Sequence, residues 1–542
     1  MEPGSPHISK TVLWAVLTAA ALFFLLGAMV LPYPGLHNDE CLFAQPLYGP
    51  TASEQRIHLF HRDIPLMLMS YLGSTKTLFY APIFKVWKPS VWSIRLPGLI
   101  TGAATIWMFG LLLYRLGGSF AAIAGSLLLA LDPTYVLTTV FDWGPVALQH
   151  FLLVAGVLAL NSFYRSGSKW MLAAGFFSFG LGMWDKALFS WMLSGLFLAS
   201  LLLLLQEIRR RFTPGNVSIA VAAFALGAAP LIVYNVQNDL ETFRGNAKMS
   251  TAEIWSKLRF MPHTLGGSGL FGYLIRDEWE DSPRAPQNAV ERFSTTVHTI
   301  AGPRRENWMP QVLLLVFACL PLWRARWRVM AFALLSGLVA WLLMSATQGA
   351  GGSAHHVVLV WPVPQFLVAF GLAAAIANRR TFWRWGATAI VALLCLQNAL
   401  VTNQYLYNAQ RVGPGSSWTD AVFPLHDALV KMRPEHVNLM DWGYEFNLLA
   451  LTRGEMELRW GAEPGERPAA NENDERLLKI FLESPNSVWI KHVDPIEVTP
   501  GSEKRFTERA FERGYGKQSI EIVPDRNGRK VFEIYRFVKV NP

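Results

Sequence analysis

Long apolar runs separated by short polar segments fill the chain up to about residue 402. Runs able to cross a hydrocarbon core of about 30 Å lie at roughly 11 to 31, 91 to 114, 118 to 133, 144 to 164, 169 to 184, 187 to 206, 216 to 235, 309 to 324, 328 to 346, 355 to 377 and 384 to 401. They predict an α-helical polytopic membrane protein with about eleven spanning helices and two long polar loops, 32–89 and 236–308. The apolar stretch inside Asp63 to Lys88 is read as surface-lying or re-entrant, because a crossing there would invert every later loop.

From 403 to 542 the pattern changes to short alternating segments. His436 to Trp442 and Ser487 to His492 read as strands, and Tyr444 to Leu451, Asp474 to Glu483 and Glu503 to Arg513 as helices. Ser519 to Val523 and Lys530 to Val538 read as a hairpin joined through Asp525-Arg526-Asn527-Gly528, since Asn-Gly favours tight reversals. The expected organisation is a transmembrane domain, 1–402, followed by a small soluble α/β domain, 403–542.

With 52% hydrophobic and 16% charged residues, the chain carries more apolar surface than one globular core would absorb, and the lipid bilayer is the expected solvent. The formal charge of +9 reports orientation, and no nucleic-acid partner is expected. Placing the N-terminus inside puts thirteen basic residues on the cytoplasmic side, among them Lys10, Arg115, Arg209 to Arg211, Arg324, Arg326, Arg328, Arg379, Arg380 and Arg384, against only Glu2 and Glu207. An odd number of crossings then exports the C-terminal domain. The first run exceeds a signal-peptide core and ends in Pro32-Tyr33-Pro34-Gly35, so it reads as a retained helix. Cys319 and Cys395 lie in apolar runs and only Cys41 in a polar loop, which predicts neither a disulfide framework nor a cysteine zinc site.

His37-Asn38-Asp39-Glu40 places two carboxylates just beyond the first helix. Partly desolvated, one of them would have a raised pKa and could serve as a general base; a solvated loop or a helix N-cap is the alternative. Arg95, just inside the outer end of the next helix, is costly unless it pairs, faces a polar cavity or snorkels.

The order of Asp39-Glu40, Lys76-Thr77-Leu78-Phe79-Tyr80-Ala81-Pro82, Trp92 to Gly98, Arg115-Leu116-Gly117-Gly118, Leu131-Asp132-Pro133, Trp184-Asp185-Lys186 and His355-His356 before Trp361-Pro362-Val363-Pro364 resembles the GT-C polytopic glycosyltransferases. It is most similar to the family 39 group, whose relatives include protein O-mannosyltransferases and the lipid A aminoarabinose transferase. The resemblance implies transfer of a sugar from a polyprenyl-phosphate donor, with inversion, to a lipid, glycan or protein acceptor outside the cytoplasm. The expected location is a bacterial inner membrane. It further implies Asp39 first and Glu40 second as the base.

Such a transfer needs cations for the leaving phosphate and groups for the sugar. Lys186, at an outer helix end, is the candidate phosphate contact, with a snorkelling lysine or a pair with Asp185 as the alternative. Asp142 is either a second acidic site residue or the N-cap of the helix that begins near Pro145. His355 and His356, after the turn Gly349 to Ser353, are candidate sugar or phosphate contacts or simply interfacial histidines. Arg95 joins them as a substrate-binding candidate.

No protein cofactor is expected and no metal ligand set is assigned, although a divalent cation would suit an oligosaccharyltransferase-like version using a diphosphate-linked glycan. His58 and His61 would share a face at helical spacing with the Asp63 carboxylate nearby, and Arg276 to Asp281 is an acidic cluster able to attract a cation or to remain solvated. Met440-Asp441-Trp442-Gly443-Tyr444 shares residues with the Trp-Trp-Asp-Tyr-Gly signature of oligosaccharyltransferases, but lacks its first tryptophan and changes its order; a strand-to-helix turn on Gly443 is the alternative. The competing function class is a transporter or flippase of lipid-linked sugars, which would place ionisable groups near the bilayer midplane. The helix interiors here are nearly free of charge.

Overall fold

The computed structural model describes residues 8–49, 53–59, 61–211, 213–318, 326–377, 381–493 and 496–540. Glu2, Cys319, Arg324, Arg379 and Arg380, used above, lie outside them.

Among the described residues the apolar runs fall on helical segments, the run at 355 to 377 being divided between Ala354–Val357, the 3-10 turn Val358–Val360 and Val363–Ile376. The first, Lys10–Val30, starts where the Ser9 side chain accepts the Val12 N–H. The runs at 91 to 114 and 118 to 133 belong to one element, Val91–Leu131, broken at Gly118, whose φ of +80° suits a residue without Cβ. Among the described residues six helices are long and apolar enough to cross a membrane, or eight if the two bent pairs, Phe189–Leu203 with Leu205–Arg211 and Pro214–Gly227 with Ala229–Gln237, each make one span. That is fewer than eleven for identifiable reasons. The Gly118 break counts two arms as one, Lys169–Asp185 has only 17 residues, and Met309–Ala318 covers only the start of its run.

Asp63 to Lys88 does not form one surface segment. An antiparallel sheet of β1 (Gln55–Leu59), β2 (Arg62–Met69) and β3 (Leu72–Gly73) precedes a helix, Thr75–Val86, whose 12 residues are too few to cross a bilayer. The helical face expected for His58 and His61 is therefore absent. His58 instead faces Asp63 across the hairpin, with Nδ1 3.0 Å from Oδ1, on an exposed surface.

The chain beyond Thr381–Arg411, a helix that continues past the expected end at 401, folds around a five-stranded sheet. Its order is β5 (Glu457–Trp460), β4 (His436–Leu439), β6 (Ser487–His492), β8 (Lys530–Lys539), β7 (Tyr515–Pro524). The central strands run parallel, with β4 pairing both β5 and β6, and β8 closes antiparallel against β6 and β7. The β7–β8 reversal uses the predicted residues: the Asp525 carboxylate accepts the N–H groups of Asn527 and Arg529, and Gly528 has φ +82°. The short edge strand β5 was not anticipated.

The sheet region touches the loop after the first helix. Gly35 N–H donates to Trp418 O, Phe446 N–H to Asn38 Oδ1 and Asn447 Nδ2 to Leu36 O. A Cβ on Gly35 would lie 1.9 Å from Thr419 O, so this approach requires glycine.

Candidate active site

A short helix, Asn38–Leu42, carries the two loop carboxylates. His37 caps it, with Nδ1 accepting the Asp39 N–H at 3.1 Å, while Glu40 Oε2 accepts the His37 N–H at 2.9 Å. Helical geometry then points Asp39 and Glu40 in different directions.

Glu40 turns inward and is 1% exposed. Arg95 grips it with two parallel hydrogen bonds of 2.8 Å, and the remaining guanidinium donors reach the carbonyls of Leu31, Pro34 and Gly35. The guanidinium also lies 4.6 Å from the Phe141 ring centre. Neither Glu40 nor Arg95 has capacity left for a substrate, so the geometry places both in the scaffold of the loop. Arg95 does hold a first-loop carboxylate, and that carboxylate is Glu40.

Asp142 is equally occupied. One oxygen accepts the N–H groups of Val146 and Ala147, capping Val146–Ser166, and the other lies 3.0 Å from Lys76 Nζ. Burial alone would depress the Lys76 ammonium, yet Asp142 beside it holds its pKa above the ordinary lysine value. Lys76 had not been singled out as a site residue; a cation inside an otherwise apolar stretch was the available signal.

Asp39 differs. Its side chain is 40% exposed, and His37 Nδ1, 3.9 Å away, is the nearest cation-forming group. Burial raises its pKa above the ordinary carboxylate value, against the pull of His37 and Lys186. Burial drives His37 down to about 4, so it is neutral; with Nδ1 accepting from Asp39, Nε2–H faces the Tyr273 hydroxyl at 3.3 Å.

Lys186 lies beyond the end of Lys169–Asp185, where the loop sheet fixes it. Leu72 bridges to Lys186, Ala187 N–H donates to Tyr71 O, and Trp184 Nε1 donates to Leu66 O. Gly73 packs so closely on Trp184 that a Cβ would sit 2.0 Å from its carbonyl oxygen. Lys186 is only 4% exposed, and among the described residues no acceptor lies within hydrogen-bonding range of its Nζ. Burial lowers its pKa to about 8 against the attraction of Asp185, Asp142 and Asp39. Asp185 is buried too, accepting from Gln149 Nε2 at 2.9 Å rather than pairing with its neighbour.

The ammonium shares its place with a histidine. A Cβ built on Gly144 would lie 3.1 Å from Lys186 Nζ and 3.2 Å from His355 Cδ2. His355 and His356 are oriented by Ser353 Oγ, 3.0 and 3.2 Å from their Nδ1 atoms, which leaves both Nε2 atoms available. Trp143 packs on His355 at 5.1 Å and on Trp418 at 5.2 Å, while Trp418 lies 4.6 Å from His37. His37, Asp39, Lys186, His355 and His356 thus gather around one aromatic wall. Glu40, Arg95, Asp142 and Lys76 form a charge-matched layer that supports it.

Neither cation cluster considered from sequence is free. In Arg276 to Asp281, Asp277 pairs with Arg305 at 2.7 Å, Asp281 with Arg529 at 2.8 Å, and Glu280 with Arg276 at 3.4 Å. Among the described residues no group of three or more His, Cys, Asp or Glu is arranged to hold a metal ion. Tyr273 and Trp418 carried no sequence signal, since only the fold brings them to His37.

No protein-family model and no curated protein matches the sequence. Solved structures do. ArnT from Cupriavidus metallidurans bound to undecaprenyl phosphate aligns over 97% of this chain and 98% of its own, with a TM-score of 0.59 at 14% identity. The Archaeoglobus fulgidus oligosaccharyltransferase tethered with an acceptor peptide aligns over 98% of this chain and 74% of its own, with a TM-score of 0.50 at 12% identity. At such identities the likeness concerns fold: this chain is an integral, multi-pass membrane protein with the GT-C fold of membrane glycosyltransferases.

Proposed function

We propose that the protein is a glycosyltransferase that moves a sugar from a polyprenyl-phosphate carrier to an acceptor on the extracytoplasmic side of a bacterial inner membrane. The N-terminus is then cytoplasmic, and the sheet region beyond about residue 403 is an extracytoplasmic domain. One observation carries the reading. Of the two loop carboxylates, Glu40 is consumed by Arg95, whereas Asp39 is left partly exposed and within electrostatic reach of an almost buried ammonium, Lys186, for which the described residues supply no acceptor. A base and an unmatched cation in one site suit a reaction that takes up a proton and releases a phosphate. The likeness to an ArnT bound to undecaprenyl phosphate supports a carrier of that kind.

In this reading Asp39 accepts the proton of the acceptor hydroxyl as its oxygen bonds to the anomeric carbon. The bond from that carbon to the carrier phosphate breaks on the opposite face, inverting the centre. The phosphate leaves with the bonding pair and Lys186 receives its charge, joined by the Nε2–H of whichever of His355 and His356 accepts the Ser353 hydroxyl at Nδ1. Glu40, Arg95, Lys76 and Asp142 hold the loop and the 142–146 turn in register.

The test is Asp39→Asn, an isosteric change that removes the base. Sugar turnover from the native lipid-linked pool should fall by about 10² to 10⁴, with expression and thermal stability kept. Undiminished turnover, or movement of the intact lipid-linked sugar across the membrane without a covalent product, would overturn the reading, the second outcome in favour of a flippase.

A further inference from the structure

Two aromatic rings beside His37, the residue that caps the turn carrying the base, are left unused by the transfer step. Tyr273, in the long loop after the Ile254–Gly266 helix, and Trp442, in the turn after β4, each lie 6.3 Å from the His37 ring, and are 41% and 40% exposed. Their neighbours in the same wall are closed off: Trp418 is 0% and Trp143 4% exposed. Two open ring faces therefore flank the His37–Asp39 turn, and a third, buried ring backs it.

Both rings are held rather than free. Asp441 accepts from the Trp442 and Val498 N–H groups, from the N–H and Oγ1 of Thr499, and from His492 Nδ1 at 2.6 Å. Its carboxylate is thereby filled, so the turn presents an indole and no acid. Gly443, at φ +113°, lets the chain reverse there, and two residues after Tyr444 the Phe446 N–H bonds Asn38 Oδ1, tying the turn to the loop that carries Asp39. Tyr273 is fixed by its hydroxyl on His37 Nε2 and by close backbone packing, since a Cβ on Gly415 would lie 2.0 Å from Tyr273 O.

We infer that Trp442 and Tyr273 form the acceptor subsite and that it takes a carbohydrate ring, an inference that rests on the glycosyltransferase reading above. A pyranose has apolar C–H faces and a polar rim of hydroxyls. Aromatic faces beside a polar turn complement both, the rings covering the C–H faces and Asp39 receiving a rim hydroxyl. A peptide acceptor would call for backbone hydrogen-bonding partners, which two ring faces do not supply.

Saturation-transfer difference NMR on the full chain in lipid nanodiscs, with methyl pyranosides of glucose, mannose and galactose as probes and a Ser/Thr-containing peptide as control, tests the assignment. At least one glycoside should receive saturation, strongest at its ring C–H protons. Trp442→Ala should weaken that binding about fivefold to tenfold, and Trp442→Phe should restore most of it. Size-exclusion behaviour identifies any variant that has not folded, and Tyr273→Ala gives a second reading at the other ring. Saturation of none of the glycosides, equal binding in both aromatic variants and the native chain, or transfer to the peptide alone would overturn it. The two readings separate cleanly. Loss of turnover in Asp39→Asn with glycoside binding indifferent to both rings sinks only the subsite, whereas a fully active Asp39→Asn with ring-dependent binding sinks only the base.

Discussion

Asp39 and Glu40 are adjacent, chemically alike and differently used, and the two layers of charge to which they belong explain why. In the lower layer every charge is answered: Glu40 by Arg95 through two bonds of 2.8 Å, and Asp142 by Lys76 at 3.0 Å together with two backbone N–H groups. In the upper layer, among the described residues, Asp39 has no hydrogen-bonding cation and Lys186 no acceptor. Matched buried pairs specify where a loop sits, and breaking one exposes the full desolvation cost of the other partner. Unmatched groups contribute nothing of that kind, and the nearly buried position of an unmatched Lys186 points to a ligand that completes it. Architecture is therefore assigned to the matched layer and chemistry to the unmatched one.

The sharpest way to break this division is through Glu40 and Arg95. Replacing either by alanine strands the other charge and should destabilise the fold by about 3 to 5 kcal/mol, read as a lost or lowered thermal transition in detergent. The double replacement Glu40→Leu with Arg95→Met should recover part of that loss. If Glu40→Gln instead left stability untouched and abolished turnover as Asp39→Asn does, the boundary between the layers would be misplaced.

The next effect is smaller and opposite in sign for stability. Lys186→Met removes an ammonium with no partner, so the melting temperature should hold or rise, while the KM for the lipid-linked donor climbs about tenfold to a hundredfold through loss of a charge-assisted contact. Lys76→Met strands Asp142 and should lower the melting temperature. Parallel behaviour of the two lysine variants would erase the distinction drawn between them.

Which residues belong to which layer was only partly legible in the sequence. The apolar runs, the polar tail and its Asn-Gly hairpin follow from local composition and periodicity, and so survive folding. The pairing of the first loop into β1, β2 and β3 does not, because its strand residues are mixed with turn and helix formers, and short apolar stretches do not distinguish the two. Asp39-Glu40 marks itself as two carboxylates beside a membrane, yet only the direction of each side chain on a five-residue helix decides that one is structural. Lys186, His355 and His356 were visible as polar residues at helix ends. Lys76 as the partner of Asp142 was not, since 66 residues separate them. Tyr273, Trp418 and Trp442 converge on His37 from three distant segments, and no spacing rule reaches that far.

The mildest test sharpens the upper layer through pH. Burial raises the pKa of Asp39 above the ordinary carboxylate range, so kcat/KM should fall as pH drops through that raised value and the base is protonated. Burial lowers Lys186 to about 8, so donor capture should weaken as pH rises through about 8 and the ammonium is lost. His37, driven to about 4, stays neutral across the window, and Tyr273, pushed up to about 12, stays protonated, so neither adds a limb. Stability responds to Lys186 with the other sign. Its folded pKa lies below the ordinary 10.5, the unfolded chain binds the extra proton, and stability should rise with pH between about 8 and 10.5 while activity declines. Lys186→Arg keeps the cation charged throughout, so it should carry the alkaline limb upward and leave the acid limb in place. An alkaline limb unmoved by that substitution would take Lys186 out of the reaction and leave Asp39 alone in the upper layer.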